Sequence, residues 1–443
     1  IDLVKLNFNK VDSISQASFL LTSKFSGSNL DNSMGEVKVL NCIYKNQNGE
    51  IKTSDITIVA NNTADSKLIS LKSEFIEGEL RGKYNYANIF SSFSQLIYRY
   101  IPALNPENKK PELVLSGVEN PEFNDYIIKL RLRKTQKLLN VISPGFKIAE
   151  NTSLFGIYNP DFQSVTLKVM IPELMLGGNL IKNISIDGQT NDSSFVASIS
   201  TPFIDVGGGQ IRNIVIATTT SDNNIDTRLS WDNKTQIKNQ GIINAVAHFE
   251  HASQNPNRRI KLDVNPSQLL LNDTLWNISP SEVSIDSSKI AISGFKLFNK
   301  GQYLMVSGNI SSNPKDSVVV EVNNLDISNI NLYTKDKGYL LEGFINGYAM
   351  VTNIKENPLF FSNLNLQGLS VNSQEVGNLV FSSRWFADAK RLNIKATNHL
   401  HDEVMLKASG DLFPESKSMK FSVEINKIPL KHLEPMLSDN ISN

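Results

Sequence analysis

Few side chains in this sequence of 443 residues have the types and spacing that chemistry requires. His399 and His401 occupy alternate positions of a predicted strand and are followed by Asp402 and Glu403, so this group could chelate a divalent cation. No further ligand is suggested elsewhere in the sequence, and the same stretch also fits a polar turn. We therefore expect no metal site.

Known catalytic and cofactor-binding motifs are missing from the sequence. His248 and His251 are three residues apart, a spacing that joins two ligands on a helix but sends them to opposite faces of the strand predicted here. There is no nucleophile elbow, no zinc-protease motif, no P-loop and no dinucleotide-binding glycine motif. The glycines at 207–209 precede a predicted strand and not the helix N-terminus that would hold a phosphate. We expect a protein that is not an enzyme and takes no cofactor.

Charge and cysteine content exclude further classes. Lys and Arg number 44 and Asp and Glu number 44, and this zero net charge argues against binding to nucleic acid. The single Cys42 lies in an apolar run, which predicts a buried free thiol. No apolar run approaches the length of a membrane span, and the chain opens Ile-Asp-Leu-Val without a signal segment. We expect a slice of a longer chain whose anchor or targeting signal lies outside it.

The elements that carry these residues are mainly strands. Apolar and polar residues alternate with a period of two, as at Ile69, Leu71 and Phe75, and turn residues such as Asn48-Gly49 separate the alternating segments. Further strands are predicted at 163–171, 195–200, 211–218, 260–264, 302–310, 339–352, 391–397, 403–409 and 418–425. Helical spacing of apolar residues predicts helices at 87–100, 134–142 and 429–438. The sequence thus predicts an antiparallel meander with one apolar and one polar face, plugged by short helices.

An internal repeat, apolar-x-Asn-(Ile/Leu)-x-apolar, occurs five times, beginning at positions 181, 211, 327, 361 and 376. Its fourth and sixth positions share a strand face, and its asparagine points to the other face. An apolar residue at the first position breaks the alternation and suggests a strand entry or a bulge. The residues expected on the concave or interior side are Ile184, Ile186, Ile214, Ile216, Ile330, Leu332, Leu364, Leu366, Leu379 and Phe381. Those expected on the outer side are Asn183, Asn213, Asn329, Asn363 and Asn378.

The motifs from about position 225 to 425 resemble a known family. The run at 272–295, its continuation at 302–310 and 316–322, and Leu341-Glu-Gly-Phe-Ile-Asn-Gly347 are similar to the middle region of TamB-like proteins of the Bacteroidetes. Segments at 82–102, 228–233 and 410–414 fit the same pattern. TamB-like proteins belong with the AsmA-like, repeating β-groove proteins.

The resemblance implies a mostly-β fold, an elongated antiparallel meander curled into an open groove (a β-taco) with a few short plugging helices. It implies one segment of a periplasmic bridge in a Gram-negative bacterium, which shelters and conducts phospholipid between the inner and outer membranes and has a role in outer-membrane assembly. The expected partners are phospholipid, an outer-membrane barrel or assembly protein reached through regions outside this chain, and the inner membrane through an absent N-terminal anchor. Three groove segments are expected, at 1–150, 151–300 and 301–443.

Two other hypotheses stay open at this point. The sheet could close over an ordinary packed core and serve as an envelope scaffold, or the chain could be a carbohydrate-active surface protein on a β-helix or sandwich. The predicted strands are longer and the repeats less regular than a β-helix requires. A lipid groove needs only an apolar lining, which would explain why the sequence contains no recognisable set of catalytic or metal-binding residues.

Overall fold

The computed structural model describes residues 4–5, 13–28, 32–63, 66–83, 89–106, 126–159, 162–176, 178–191, 193–206, 209–250, 259–334, 338–356, 358–414, 416 and 418–426. Within these residues the fold is mostly β, with 27 strands that pair antiparallel and only short helices. The predicted fold class, an antiparallel β meander, is confirmed. By internal contacts the chain forms two compact units, Ile1–Asn233 (unit 1) and Lys234–Asn443 (unit 2), while the division into three groove segments stays a prediction.

Unit 1 is a meander in which each strand pairs with the next along the chain. Its strands are β1 Ser15–Ser26, β2 Met34–Asn46, β3 Gly49–Asn62, β4 Lys67–Ser73, β5 Ile76–Gly82, β6 Tyr126–Leu132, β7 Lys147–Ile148, β8 Ser153–Asn159, β9 Ser164–Leu176, β10 Asn179–Thr190, β11 Phe195–Val206, β12 Gly209–Ser221 and β13 Asn224–Asp232. The two-residue β7 is the exception, since it lies beside β9, which also pairs with β8.

Unit 2 is also an antiparallel meander, except that four short strands replace the simple strand order near its start. Its strands are β14 Gln240–Glu250, β15 Arg259–Val264, β16 Ser267–Leu271, β17 Thr274–Ile278, β18 Ser281–Ile285, β19 Lys289–Asn299, β20 Gln302–Ser311, β21 Ser317–Asp326, β22 Leu341–Thr352, β23 Leu359–Val371, β24 Gln374–Phe386, β25 Arg391–Leu400, β26 Glu403–Phe413 and β27 Ser418–Ile425. The four short strands β15–β18 fill the space between β14 and β19, and from β19 onwards each strand pairs with the next.

Two predicted helices are confirmed, α1 at Ile89–Tyr100 and α2 at Thr135–Ile142. The third, predicted at 429–438, lies outside the described residues. A 3₁₀ turn at Pro102–Leu104 follows α1, and unit 2 contains a 3₁₀ turn at Ile327–Ile330 followed by α3 at Asn331–Thr334.

Several hairpins turn on two consecutive residues with positive φ, the backbone of the type I′ turn that matches strand twist. Asp222 and Asn223 join β12 to β13, with φ of 45° and 66°. His401 and Asp402 join β25 to β26, with φ of 49° and 64°. The sequence around His401 and Asp402 was also consistent with a polar turn, and the backbone there is a turn.

Candidate functional site

The strand registers of unit 1 align apolar residues into one row that crosses the sheet. Residues directly opposite each other on antiparallel strands share a face, so the pairings can be followed from strand to strand. The row is Val37, Ile58, Leu71, Gly78, Leu130, Leu154, Val169, Ile186, Ile199, Ile216 and Leu229. It makes ten steps between strands, about 48 Å at about 4.8 Å per step. We call the face that carries this row the apolar face of unit 1.

The neighbouring row, one residue along each strand, lies on the opposite face and is mostly polar. It contains Lys38, Thr57, Lys72, Glu77, Arg131, Ser153, Met170, Ser185, Ser200, Val215 and Ser230. Glu77 forms an ion pair of 2.8 Å with Arg133, and the hydrogen bond from that guanidinium holds the pKa of the Glu77 carboxyl below its ordinary value. The sheet of unit 1 therefore separates apolar from charged side chains.

Unit 2 repeats this separation. One row of its apolar face is Leu297, Leu304, Val322, Gly347, Leu364, Phe381, Ala396, Ala408 and Val423. A second row on the same face is Leu262, Val283, Ile292, Gly308, Val318, Val351 and Phe360. Both rows are free of charged residues.

Charges gather on the other face of unit 2. Lys261 lies between Asp263 at 3.2 Å and Glu282 at 3.1 Å, and hydrogen bonds to the Glu282 and Asp263 carboxylates raise the pKa of the Lys261 ammonium. His248 lies 3.2 Å from Asp263 on the same face. Further along, Arg391 pairs with Asp411. These charged side chains lie on the polar face, and the two apolar rows contain none.

The apolar rows are only partly covered. None of the eleven residues in the unit 1 row is buried, and Ile58 and Ile199 are 36% and 37% exposed. Among the described residues, 17 hydrophobic side chains are buried while 30 large hydrophobic side chains are exposed. A closed core would give the opposite balance, because core residues lose nearly all contact with water. The apolar rows of the described residues are therefore partly exposed to solvent and not fully buried.

Helix α1 covers the end of this face where β8 turns into β9. Its Phe93 ring stacks on Tyr158 with centroids 4.9 Å apart, and Tyr158 meets Tyr126 edge-on at 5.5 Å. Tyr126 and Tyr158 are directly opposite each other and form a buried cluster with Leu80 and Val165 beside them. This pair was not predicted from the sequence, because no local pattern joins two residues that lie on separate strands.

Helix α2 covers the opposite end of the strands, at the turn between β2 and β3. Val141 is buried against Ile51 and Phe75. The side-chain amides of Asn46 and Asn48, from that turn, donate to the Val141 carbonyl oxygen at 2.9 and 3.0 Å and so satisfy a group at the helix C-terminus. Among the described residues, the two helices pack at opposite ends of the unit 1 strands, and neither buried cluster includes a residue of the apolar row between them.

The first two repeat copies lie on β10 and β12, as predicted. Ile186 and Ile216 belong to the apolar row, and Ile184 and Ile214 are buried beside it at 6% and 7% exposure. Asn183 is exposed, as is its counterpart in the second copy.

The asparagines of these two copies mark a break in the strand ladder. Asn183 and Asn213 have φ of 51° and 47°, left-handed values that asparagine tolerates better than most residues. By register, Asn183 lies opposite Pro172 and Asn213 lies opposite Pro202, and neither proline has an N–H to donate. The Asn213 side-chain amide donates to the Asp232 carbonyl oxygen at 2.7 Å. The irregularity expected at the first repeat position is therefore two residues later, at the asparagine itself.

The third repeat copy was predicted as a strand, and this prediction is wrong. Ile327–Ile330 is a 3₁₀ turn, and the Leu332 backbone belongs to α3. Ile330 is 46% exposed and Asn329 is half-buried, with its amide donating to the Asp326 carbonyl. The Asp326 carboxylate accepts from the Ser328 N–H, and this cap favours the turn over a continued strand.

The last two copies pair with each other on β23 and β24. Leu364 lies directly opposite Phe381, and Leu366 lies opposite Leu379, so these four predicted positions share one face. Asn363 and Asn378 are exposed, and the Asn378 side-chain oxygen accepts from the Gly368 N–H at 2.9 Å where the register shifts.

The candidate metal ligands do not come together. His401 lies in the hairpin turn with a 78% exposed side chain, whereas His399 is paired opposite Val404 within the strands. His251 is outside the described residues. In the part of the chain that the structure describes, no three His, Cys, Asp or Glu side chains gather where they could hold a metal ion. Cys42 is a free thiol that is half-buried, less than predicted, and burial raises its pKa.

No helix in the described ranges is both long and apolar enough to cross a membrane. Comparison of the chain with protein-family models, with curated proteins and with solved structures finds no match. The feature of the described residues that bears on function is the sheet with one apolar and one polar face.

Proposed function

We propose that this protein shelters and conducts the acyl chains of phospholipid along the apolar faces of its sheet, without performing chemistry. The observation that carries the proposal is the unbroken apolar row of unit 1, eleven strands wide, charge-free and left partly in contact with water. Nothing in this row selects a head group, which suits a conduit that must release what it binds.

The energetics favour such a ligand. Each methylene group that leaves water gains about 0.8 kcal/mol, so sheltering a sixteen-carbon chain gains on the order of 10 kcal/mol. The half-exposed side chains of the row gain as well, because the acyl chain removes their remaining contact with water. The polar face stays hydrated, so lipid is confined to one side of the sheet.

The setting proposed for this activity comes from the resemblance to TamB-like proteins. We place the chain in the periplasm as a middle segment of a bridge from the inner membrane to the outer membrane, with a role in outer-membrane assembly. An inner-membrane anchor and an outer-membrane barrel or assembly protein would be engaged by regions outside this chain.

Two adjacent residues of β10 give a matched test. Ile186 lies in the apolar row of unit 1, and Ser185 lies in the neighbouring, mostly polar row on the opposite face. A photo-crosslinking amino acid at each position therefore samples opposite faces of one strand. We expect phospholipid to crosslink at position 186 in intact cells and to co-purify with the wild-type chain in native mass spectrometry. Equal crosslinking at both positions, or none at position 186 together with lipid-free protein, would refute the proposal.

A further inference from the structure

Strands β9–β12 consist of two copies of one hairpin, β9–β10 and β11–β12, thirty residues apart. The residues that are identical at matching positions are Pro172 and Pro202, Ile181 and Ile211, Asn183 and Asn213, Ile184 and Ile214, Ile186 and Ile216, and Thr190 and Thr220. Glycine pairs at 177–178 and 207–208 match in the sequence as well. The repeat therefore extends over a whole hairpin and beyond the six-residue motif.

The backbone repeats together with the sequence. In both hairpins an asparagine with positive φ lies opposite a proline, and the isoleucine after the asparagine is buried, at 6% and 7% exposure. The register towards the following strand repeats too, since Ile186 lies opposite Ile199 and Ile216 lies opposite Leu229. Both members of the second pair come thirty positions after those of the first. The two hairpins are therefore related by a shift of two strands across the sheet.

The likeness is closest around the apolar row of unit 1. Next to the row, Ile171 of the first hairpin is matched by Thr201 of the second. The Thr201 hydroxyl donates to a backbone carbonyl oxygen at 2.8 Å, so this position presents no unpaired donor to a ligand. Two residues beyond the row the hairpins diverge, because Gly188 is matched by Thr218. The shared surface therefore consists of the row itself and the buried isoleucines beside it.

We propose that the two hairpins provide an acyl chain with two equivalent resting positions on the apolar face of unit 1, one centred on Ile186 and the other on Ile216. The two positions are two strands apart, about 10 Å at about 4.8 Å per strand. An acyl chain shifted by this distance meets the same isoleucine side chains again, so its free energy of binding is the same in both positions. The proposal rests on the acyl-chain function proposed above and adds how a chain advances along the row.

Equivalence of this kind serves transport. Differences in affinity between related sites appear mainly in the dissociation rate, so a position that bound tenfold more tightly would hold the chain about tenfold longer. Two equal positions leave no such trap between β9 and β12. Lipid can therefore step across these four strands in either direction.

Photo-crosslinking at matching positions tests the equivalence. A photo-crosslinking amino acid is placed at position 186, 216, 185 or 215, one at a time in the full chain, and the purified protein is irradiated with vesicles of radiolabelled phosphatidylcholine. Ile186 and Ile216 lie in the apolar row, whereas Ser185 and Val215 are the matching pair on the opposite face. We expect yields at 186 and 216 that agree within about threefold, and little crosslinking at 185 or 215. Val215 is the stringent control, because it is apolar and 36% exposed.

Two charge variants give a second measurement that does not depend on the crosslinker. Ile186→Asp and Ile216→Asp should lower the amount of bound phosphatidylcholine by factors that agree within about threefold, with thermal unfolding measured alongside to confirm that both variants are folded.

The outcomes separate this proposal from the proposed function. Yields or losses that differ by more than about threefold between matching positions would overturn the equivalence and leave the proposed function standing. Crosslinking at 215 as strong as at 216 would overturn the assignment of the resting positions to the apolar face. No crosslinking at 186 and 216, together with lipid-free protein, would overturn both the equivalence and the proposed function.

Discussion

A charge placed on the apolar face distinguishes an open lipid-binding surface from a closed core. Leu364 is the position of choice because it lies in the apolar row of unit 2, opposite Gly347 on one side and Phe381 on the other. The substitution Leu364→Asp replaces an apolar side chain with a carboxylate that has no partner in that row.

The expected loss of stability follows from how much of Leu364 is buried. Fully burying a leucine is worth about 1.5–3 kcal/mol, and because Leu364 is only half-buried, we expect Leu364→Asp to cost about 1–2 kcal/mol. For a unit of this size that lowers the melting temperature by about 2–8 °C. The carboxylate can stay hydrated on an open face, whereas in a closed core an unpaired charge would cost about 4–5 kcal/mol or more.

The effect on lipid is larger. A hydrated carboxylate that excludes about four methylene groups from the row removes about 3 kcal/mol of binding, or about two hundredfold in affinity. Thermal unfolding and quantification of co-purified phospholipid in the same preparation give the two results needed. We expect a folded Leu364→Asp protein without lipid.

The adjacent residue supplies the control. Asn363→Asp introduces the same charge on the same strand but on the exposed polar face, and we expect it to keep both lipid and melting temperature. Ile330→Asp is a second control, since that side chain lies on a 3₁₀ turn outside the rows. Loss of the folded state in Leu364→Asp would favour the scaffold with a closed core. A folded variant that keeps its lipid would show that the rows are not where lipid binds.

Three further predictions concern a buried ring, a turn carboxylate and the two histidines of the β25–β26 hairpin. Tyr158→Ala should reduce the free energy of unfolding by about 3–5 kcal/mol, because the buried ring supports Phe93 of α1, and a loss below about 1 kcal/mol in denaturant titration would contradict that role. Hydrogen bonds from the Ser288 hydroxyl and from the Ser288 and Lys289 N–H groups hold the pKa of the Asp286 carboxyl below its ordinary value. The ionised carboxylate therefore stabilises the folded state above about pH 4, and this contribution is lost as the pH falls further. Asp286→Ala should therefore destabilise the protein at neutral pH and have little effect in acid, as measured by denaturant titration at both pH values. Replacing His399 and His401 by alanine should leave metal content unchanged in elemental mass spectrometry, and stoichiometric zinc lost in this double variant would contradict the prediction.

The sequence was a good guide wherever local pattern decides structure. Period-two alternation located strands such as β20 and β27 to within a residue, and the spacing of apolar residues located α1 and α2 within two residues of their observed starts. Both signals are local, because they depend only on which neighbouring side chains share a face.

Register between strands could not be predicted in the same way. That Ile186 lies opposite Ile199, and Leu364 opposite Phe381, depends on turn lengths and on breaks such as Asn183. The strand prediction for the third repeat copy was wrong for a related reason. Its isoleucines, at positions 327 and 330, are spaced equally well for a single helical turn, and the Asp326 cap settles the choice through a hydrogen bond that a hydrophobic pattern does not show.

The apolar face also restricts what can cover it. A peptide lying flat on the row would bury backbone N–H and C=O groups against side chains that offer no hydrogen bonds, at a cost of several kcal/mol for each unpaired group. A helix avoids this cost because it satisfies its own backbone, and the two segments that cover the ends of the unit 1 strands, α1 and α2, are both helices. An acyl chain avoids it altogether because it has no polar group along its length. The central stretch of the row, which lies outside both helix-packed clusters, therefore favours an acyl chain over an extended peptide on grounds of hydrogen bonding alone.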